Sequence, residues 1–184
     1  MTIPNLITML RVVLVPAVVL AMLQARWDWA FAGFVVAGIS DGVDGFIARR
    51  FNQQSRFGAY LDPIADKLLL VSVFVVMGII GQLPLWLVVT MVSRDALIVC
   101  AVLLSTAMAH PVEIKPFLVS KANTAVQIVL AAVVLGELAF AVHLDPLRPG
   151  LILLSGVLTV ASAAAYLVAW LRHMSGYGEG GKSG

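Results

Sequence analysis

Apolar side chains fall in six long runs along the chain, and polar side chains gather in the gaps between them. The runs extend over Leu6 to Leu23, Trp29 to Ala48, Tyr60 to Ile80, Leu85 to Met108, Ser120 to Val142 and Gly150 to Leu171. Each is close to the ~20 residues that a helix needs to cross the hydrocarbon core of a bilayer. The gaps lie at Gln24-Ala25-Arg26, Arg49 to Phe57, Gly81-Gln82-Leu83-Pro84, Ala109 to Phe117 and His143 to Pro149. Every gap carries polar residues, proline or glycine, which interrupt helices. The pattern predicts an all-α membrane protein with six transmembrane helices.

Composition supports that reading. The 184 residues are 61% hydrophobic and 12% charged, with a mean hydropathy of +1.00, whereas a typical soluble domain is about 45–50% apolar. A net charge of +2 offers no electrostatic footprint for nucleic acid. The single cysteine, Cys100, lies inside an apolar run, so neither an intrachain disulfide nor a cysteine-based metal site is expected. Arg11 ahead of Val12 to Leu23 has the outline of a cleavable leader, but Pro16 at its centre, the polar opening Ile3-Pro4-Asn5 and five further runs favour a first span.

Basic residues in short loops set the direction. A cytoplasmic amino terminus places Arg11, Arg49, Arg50, Arg56, Lys115, Lys121, Arg172 and Lys182 inside, against Arg26 and Arg148 outside. Trp27, Trp29 and Trp86 then fall at the outer interface and Trp170 at the inner one. The spanning domain is expected over residues 1–174, followed by a flexible glycine-rich tail over 175–184. That tail contains Gly176 to Ser183, a formal match to the P-loop pattern, but a phosphate loop needs a strand before it and a helix after it.

Four aspartates, Asp41, Asp44, Asp62 and Asp66, stand where the second run ends and the third begins. On helices, Asp41, Asp44 and Ala48 share a face by i, i+3, i+7 spacing, and Asp62 and Asp66 share one by i, i+4. A carboxylate at the bilayer centre costs about 2.5–3.5 kcal/mol on insertion scales, less near the interface, and four together repel one another. Helix capping or pairing with Arg49, Arg50 and Arg56 would account for one or two of them. Two divalent cations would bring a local charge of −4 to near zero. An all-oxygen ligand set favours Mg²⁺ or Mn²⁺ over zinc, and a pair of such ions suits displacement at phosphorus. Gly42, Gly45, Ala48 and Gly58 clear space for a phosphate ligand beside the backbone, or for close helix packing. Arg49 is a partner for a pyrophosphate or a positive-inside anchor. Intramembrane acids also mark ion paths, so a cation-coupled transporter is the alternative of another class. No internal repeat or broken midplane span supports it.

The string Asp41-Gly42-x-Asp44-Gly45-x-x-Ala48-Arg49, then eight residues, then Gly58-x-x-x-Asp62-x-x-x-Asp66 resembles the full signature of the CDP-alcohol phosphatidyltransferases. The likeness covers nearly the whole chain. It implies CDP-diacylglycerol as donor, release of CMP, a homodimer, and a cytoplasm-facing active site at the ends of helices 2 and 3. It further implies that Asp41, Asp44, Asp62 and Asp66 hold two Mg²⁺ or Mn²⁺ ions and that Asp66 is the general base. Asn5, Thr8, Arg11, Gly42, Gly45, Ala48, Arg49 and Gly58 would surround the donor.

The acceptor must be read outside the signature. Arg94 and Asp95 lie inside the fourth run, where an ionisable residue is a functional candidate or an interhelical glue. Neighbours on a helix differ by ~100°, so each is expected to need a partner other than the other. Ser120, Asn123 and Gln127 share a face of the fifth helix, with Lys121 and Thr124 beside them and Lys115 just before. With Ile114-Lys115-Pro116 and Ala161-Ser162-Ala163, these residues resemble the mitochondrial-type cardiolipin synthase branch, whose acceptor is phosphatidylglycerol. The phosphatidylglycerophosphate synthase branch, which uses glycerol 3-phosphate, usually has Arg-Glu and a second lysine in place of Asn123. An asparagine suits a phosphodiester better than a phosphomonoester of about −1.5 to −2. The expected acceptor residues are Arg94, Asp95, Lys115, Lys121 and Asn123. The expected location is a bacterial cytoplasmic membrane, or alternatively the mitochondrial inner membrane, with both termini cytoplasmic.

Overall fold

The chain forms six helices in a computed structural model that describes residues 3–51, 56–107 and 118–179, with side chains placed for residue 11 and for residues 13–40, 67–101 and 118–171. In order they are α1 (Ile3–Leu23), α2 (Trp27–Phe51), α3 (Arg56–Ile79), α4 (Leu85–Ala107), α5 (Leu118–Phe140) and α6 (Leu147–Glu179). Each corresponds to one predicted run, although α3 ends before Ile80 and α5 before Val142. They extend furthest at their polar ends: α2 reaches Phe51, α3 starts at Arg56, and α6 continues 33 residues to Glu179, into the glycine-rich segment. At 1.5 Å per residue α6 is about 50 Å long, well beyond a ~30 Å hydrocarbon core.

Helix ends at one side of the bundle share a stop. After α1, the amide of Arg26 bonds the carbonyl of Ala21 and that of Ala25 bonds Met22, with Ala25 at φ 55. After α3, Gln82 bonds Met77 and Gly81 bonds Gly78, with Gly81 at φ +75. Both are Schellman closures, which use a left-handed residue to satisfy the last free carbonyls. The end of α5 follows the same plan, with Val142 bonded to Glu137 and Ala141 at φ 51.

Packing closes the helices into a ring. α1 lies against α2, α2 against α5, α5 against α6, α6 against α4, α4 against α3 and α3 against α1, while α3 also touches α5 across the ring. Close approach of α6 to α4 depends on Gly156, where a Cβ would sit 2.8 Å from two ring atoms of Trp86. The core is built from the late part of α1 (Val18, Met22), the early part of α2 (Ala30, Phe34), the late part of α3 (Val73, Phe74, Met77), the start of α4 (Leu87) and the late part of α5 (Leu130, Val134). These positions all lie toward the Schellman side. The buried polar groups among the described residues are Arg11, Arg94, Asn123, Gln127, Glu137, Ser155, Thr159 and Ser162.

Large apolar side chains are also exposed on every helix, among them Val13, Ile39, Leu68, Leu97, Val129 and Leu153. Surfaces of that kind are unusual facing water. Among the described residues α5 and residues 147–171 of α6 are long and apolar enough to cross a membrane. The shorter apolar stretches Val13–Leu23, Trp27–Ser40 and Lys67–Ile79 lie in α1, α2 and α3.

Candidate active site

α2 and α3 carry the aspartate signature on unbroken helix, Asp41, Asp44, Ala48 and Arg49 in the last part of α2 and Gly58, Asp62 and Asp66 in the first part of α3. The spacings therefore translate into shared helical faces. The side chains of these residues, and those of Asn5 and Thr8, lie outside the described residues, as does Lys115 altogether. Arg11, on the α1 helix that packs against both α2 and α3, is 1% exposed. Among the described residues no group of three His, Cys, Asp or Glu side chains converges. A set of four carboxylates on two consecutive helices has the hard-oxygen chemistry of a Mg²⁺ or Mn²⁺ site.

Next to this signature stands a polar cluster built on Arg94, which is 5% exposed. Its Nη1 donates to Asp95 Oδ1 at 2.5 Å, and its Nη2 donates to Ser120 Oγ and Ser162 Oγ, each at 2.6 Å. Its guanidinium carbon lies 5.5 Å from the ring centre of Tyr166, a cation–π distance. α4, α5 and α6 thus meet on one buried cation. Asp95 in turn takes Lys67 Nζ from α3 at 2.9 Å.

The direct Arg94–Asp95 pair corrects the expectation that neighbouring positions could not meet. The ~100° offset separates the Cβ directions, but the long arginine arm curls back across it. Both residues also have the further partners that were expected.

Asn123 is fully buried. Thr159 Oγ donates to its Oδ1 at 3.0 Å, and Gln127 Nε2 donates to Thr159 Oγ at 3.4 Å. This directional chain leaves Asn123 Nδ2 as a buried donor with no protein partner among the described residues. Lys121, beside Ser120, is exposed. Of the expected acceptor residues, the structure therefore brings Arg94 and Asp95 together, and joins Arg94 to the Asn123 face through Ser120. Lys67, Thr159, Ser162 and Tyr166 were given no role by sequence reasoning. The signal was present: Ser155, Thr159, Ser162 and Tyr166 recur at i, i+4, i+7, i+11 within an apolar run, a polar stripe on one face.

Comparison with known proteins defines the class. The CDP-alcohol phosphatidyltransferase profile matches residues 1–171, and the chain belongs to that family of transferases. It is 34% identical over 155 residues to the cardiolipin synthase (CMP-forming) of Homo sapiens, covering 76% of this chain and 52% of the human one. It is 46% identical over 99 residues to a Mycobacterium tuberculosis protein whose name gives cardiolipin synthase as a provisional assignment, covering 53% and 47%. A Mycobacterium tuberculosis "Probable phosphatidylglycerophosphate synthase" is 38% identical over 97 residues, covering 50% and 46%. The chain spans about half the length of the curated relatives it matches.

Proposed function

We propose that the protein transfers the phosphatidyl group of CDP-diacylglycerol to a hydroxyl of phosphatidylglycerol, giving cardiolipin and CMP. The observation that carries the reading is the juxtaposition, on α3, of the aspartate signature with a buried Arg94–Asp95 cluster that α4, α5 and α6 build together. Likeness to cardiolipin synthases over most of the chain supports the acceptor.

In this reading Asp66 accepts the proton of the acceptor hydroxyl. The freed oxygen attacks the phosphorus that bears the diacylglycerol, the bond from that phosphorus to the CMP phosphate breaks, and CMP leaves with the bonding electron pair. Asp41, Asp44, Asp62 and Asp66 would hold two Mg²⁺ or Mn²⁺ ions, which supply charge neutralisation at the pyrophosphate when bound. Arg49 and Arg11 add positive charge on the donor side, while Gly42, Gly45, Ala48 and Gly58 keep the helix surface low. Asn5 and Thr8 close the donor site from α1. Arg94, Asp95 and Asn123 line the acceptor side, with Lys115 and Lys121 at its cytoplasmic approach.

Exposed apolar side chains on all six helices support a six-span arrangement. The bias of basic loops places both termini and the aspartates on the cytoplasmic side of a bacterial membrane, and the active unit is a homodimer. An acceptor-dependent CMP-release assay tests the function. Chelation of divalent ions is expected to abolish CMP release and Mg²⁺ or Mn²⁺ to restore it. Release that survives exhaustive chelation would contradict the metal assignment.

A further inference from the structure

Lys67 follows Asp66 directly, and its ammonium lies 2.9 Å from Asp95 Oδ1. The same oxygen takes Arg94 Nη1 at 2.5 Å. One carboxylate oxygen therefore bridges cations from two helices, α3 and α4. A carboxylate so engaged is a poor ligand for an anionic acceptor, and its effect is to fix where the two cations stand.

The cations differ in what they have left to offer. Both terminal nitrogens of Arg94 are committed, to Asp95, Ser120 and Ser162, and only 5% of the side chain is exposed. Lys67 carries three donor protons, Asp95 takes one among the described residues, and 49% of the side chain is exposed. Lys67, Arg94 and Asp95 line a single cleft whose wall joins apolar Phe74, Met91 and Val92 to polar Thr124 and Gln127. Among the described residues, two cations and one carboxylate leave a net charge of +1 at its rim.

We propose that Lys67 grips the phosphate of the acceptor, that Asp95 is the positioning bridge holding Lys67 beside Arg94, and that the net +1 of the three selects a singly charged phosphodiester lipid. The inference rests on reading the site as a phosphatidyl-transfer centre. A phosphodiester carries −1 and a phosphomonoester about −1.5 to −2, so the single surplus charge matches the diester, and the apolar part of the wall, Phe74, Met91 and Val92, suits a lipid. One helical residue is a ~1.5 Å rise. A phosphate on Lys67 thus keeps the acceptor hydroxyls in the neighbourhood of the residue assigned as base.

The test measures kcat and KM of the purified chain in mixed micelles, with phosphatidylglycerol and, separately, glycerol 3-phosphate as acceptor. Lys67→Ala is expected to raise KM for phosphatidylglycerol about tenfold or more, the range of a charged hydrogen bond. KM for CDP-diacylglycerol should stay within about twofold, and Lys67→Arg should recover most of the loss. Asp95→Asn raises the rim charge to +2, and should lower the preference for phosphatidylglycerol over glycerol 3-phosphate, as a ratio of kcat/KM, by about tenfold. An active wild type whose acceptor KM ignores Lys67→Ala, or whose acceptor preference ignores Asp95→Asn, overturns the inference alone. A wild type that converts glycerol 3-phosphate but not phosphatidylglycerol overturns the charge selection together with the acceptor assignment. No CMP release with either acceptor removes the transfer reading and this inference with it.

Discussion

Arg94 illustrates how much of the site depends on the shape of one side chain. Its guanidinium reaches a carboxylate on its own helix and hydroxyls on two others, and it lies against Tyr166. An ammonium cannot reproduce that planar fork. Arg94→Lys is therefore expected to raise the acceptor KM and to lower stability by about 1–3 kcal/mol, the cost of leaving buried partners unmet; unfolding in detergent alongside kinetics measures both. Asp66→Asn isolates the chemistry instead. Turnover should fall by at least about a hundredfold with an unchanged melting temperature, and full activity in that variant would remove Asp66 as base. At this scale the sequence identified Arg94, Asp95 and Asn123 but not their geometry. Spacing gives Cβ directions, whereas the arginine arm bends across them. The hydroxyl of Thr159 was overlooked, and Ser162 entered only through the branch likeness, because small polar residues in apolar helices often serve as packing glue.

Individual helices were far more legible. Runs of the right length with polar or proline-bearing gaps located all six, because each must satisfy its own backbone in an apolar setting. Their ends were less legible, since a helix does not stop where the apolar run stops. α6 persists to Glu179, through Gly176 and Gly178, so glycine alone does not end it. The stops themselves depend on single residues in the left-handed region. Ala25 and Ala141 carry the side-chain penalty that Gly81 avoids. Ala25→Gly and Ala141→Gly should each stabilise the protein by about 0.5–1 kcal/mol, read as a raised melting temperature, and a loss of stability would contradict the closure assigned to these ends.

Across the whole molecule, two polar fasteners hold a ring of helices from opposite ends. Arg94 and its partners secure the side near the aspartates. At the Schellman side, Glu137 accepts the amide of Leu144 at 2.7 Å and pairs with Arg148 at 3.1 Å, and Arg148 reaches both the carbonyl and the amide oxygen of Gln82. Arg148→Ala should cost about 1–3 kcal/mol, a buried-pair loss discounted for the partial exposure of Arg148. The acceptor KM should not change, because this fastener is remote from the cleft. The order of helices around the ring could not be read from the sequence. Lipid-facing and core-facing positions are both apolar here, so the pattern that orients a helix in water is nearly silent. The aspartate spacing was legible because it repeats on shared helical faces; the Arg94 cluster emerges only when four helices assemble.

The central claim is the choice of acceptor, and one competition experiment tests it most directly. Purified protein with CDP-diacylglycerol and Mg²⁺ or Mn²⁺ is given phosphatidylglycerol and glycerol 3-phosphate together, and the lipid products are identified by mass. Cardiolipin as the main product is the expected result; phosphatidylglycerophosphate without cardiolipin would contradict it.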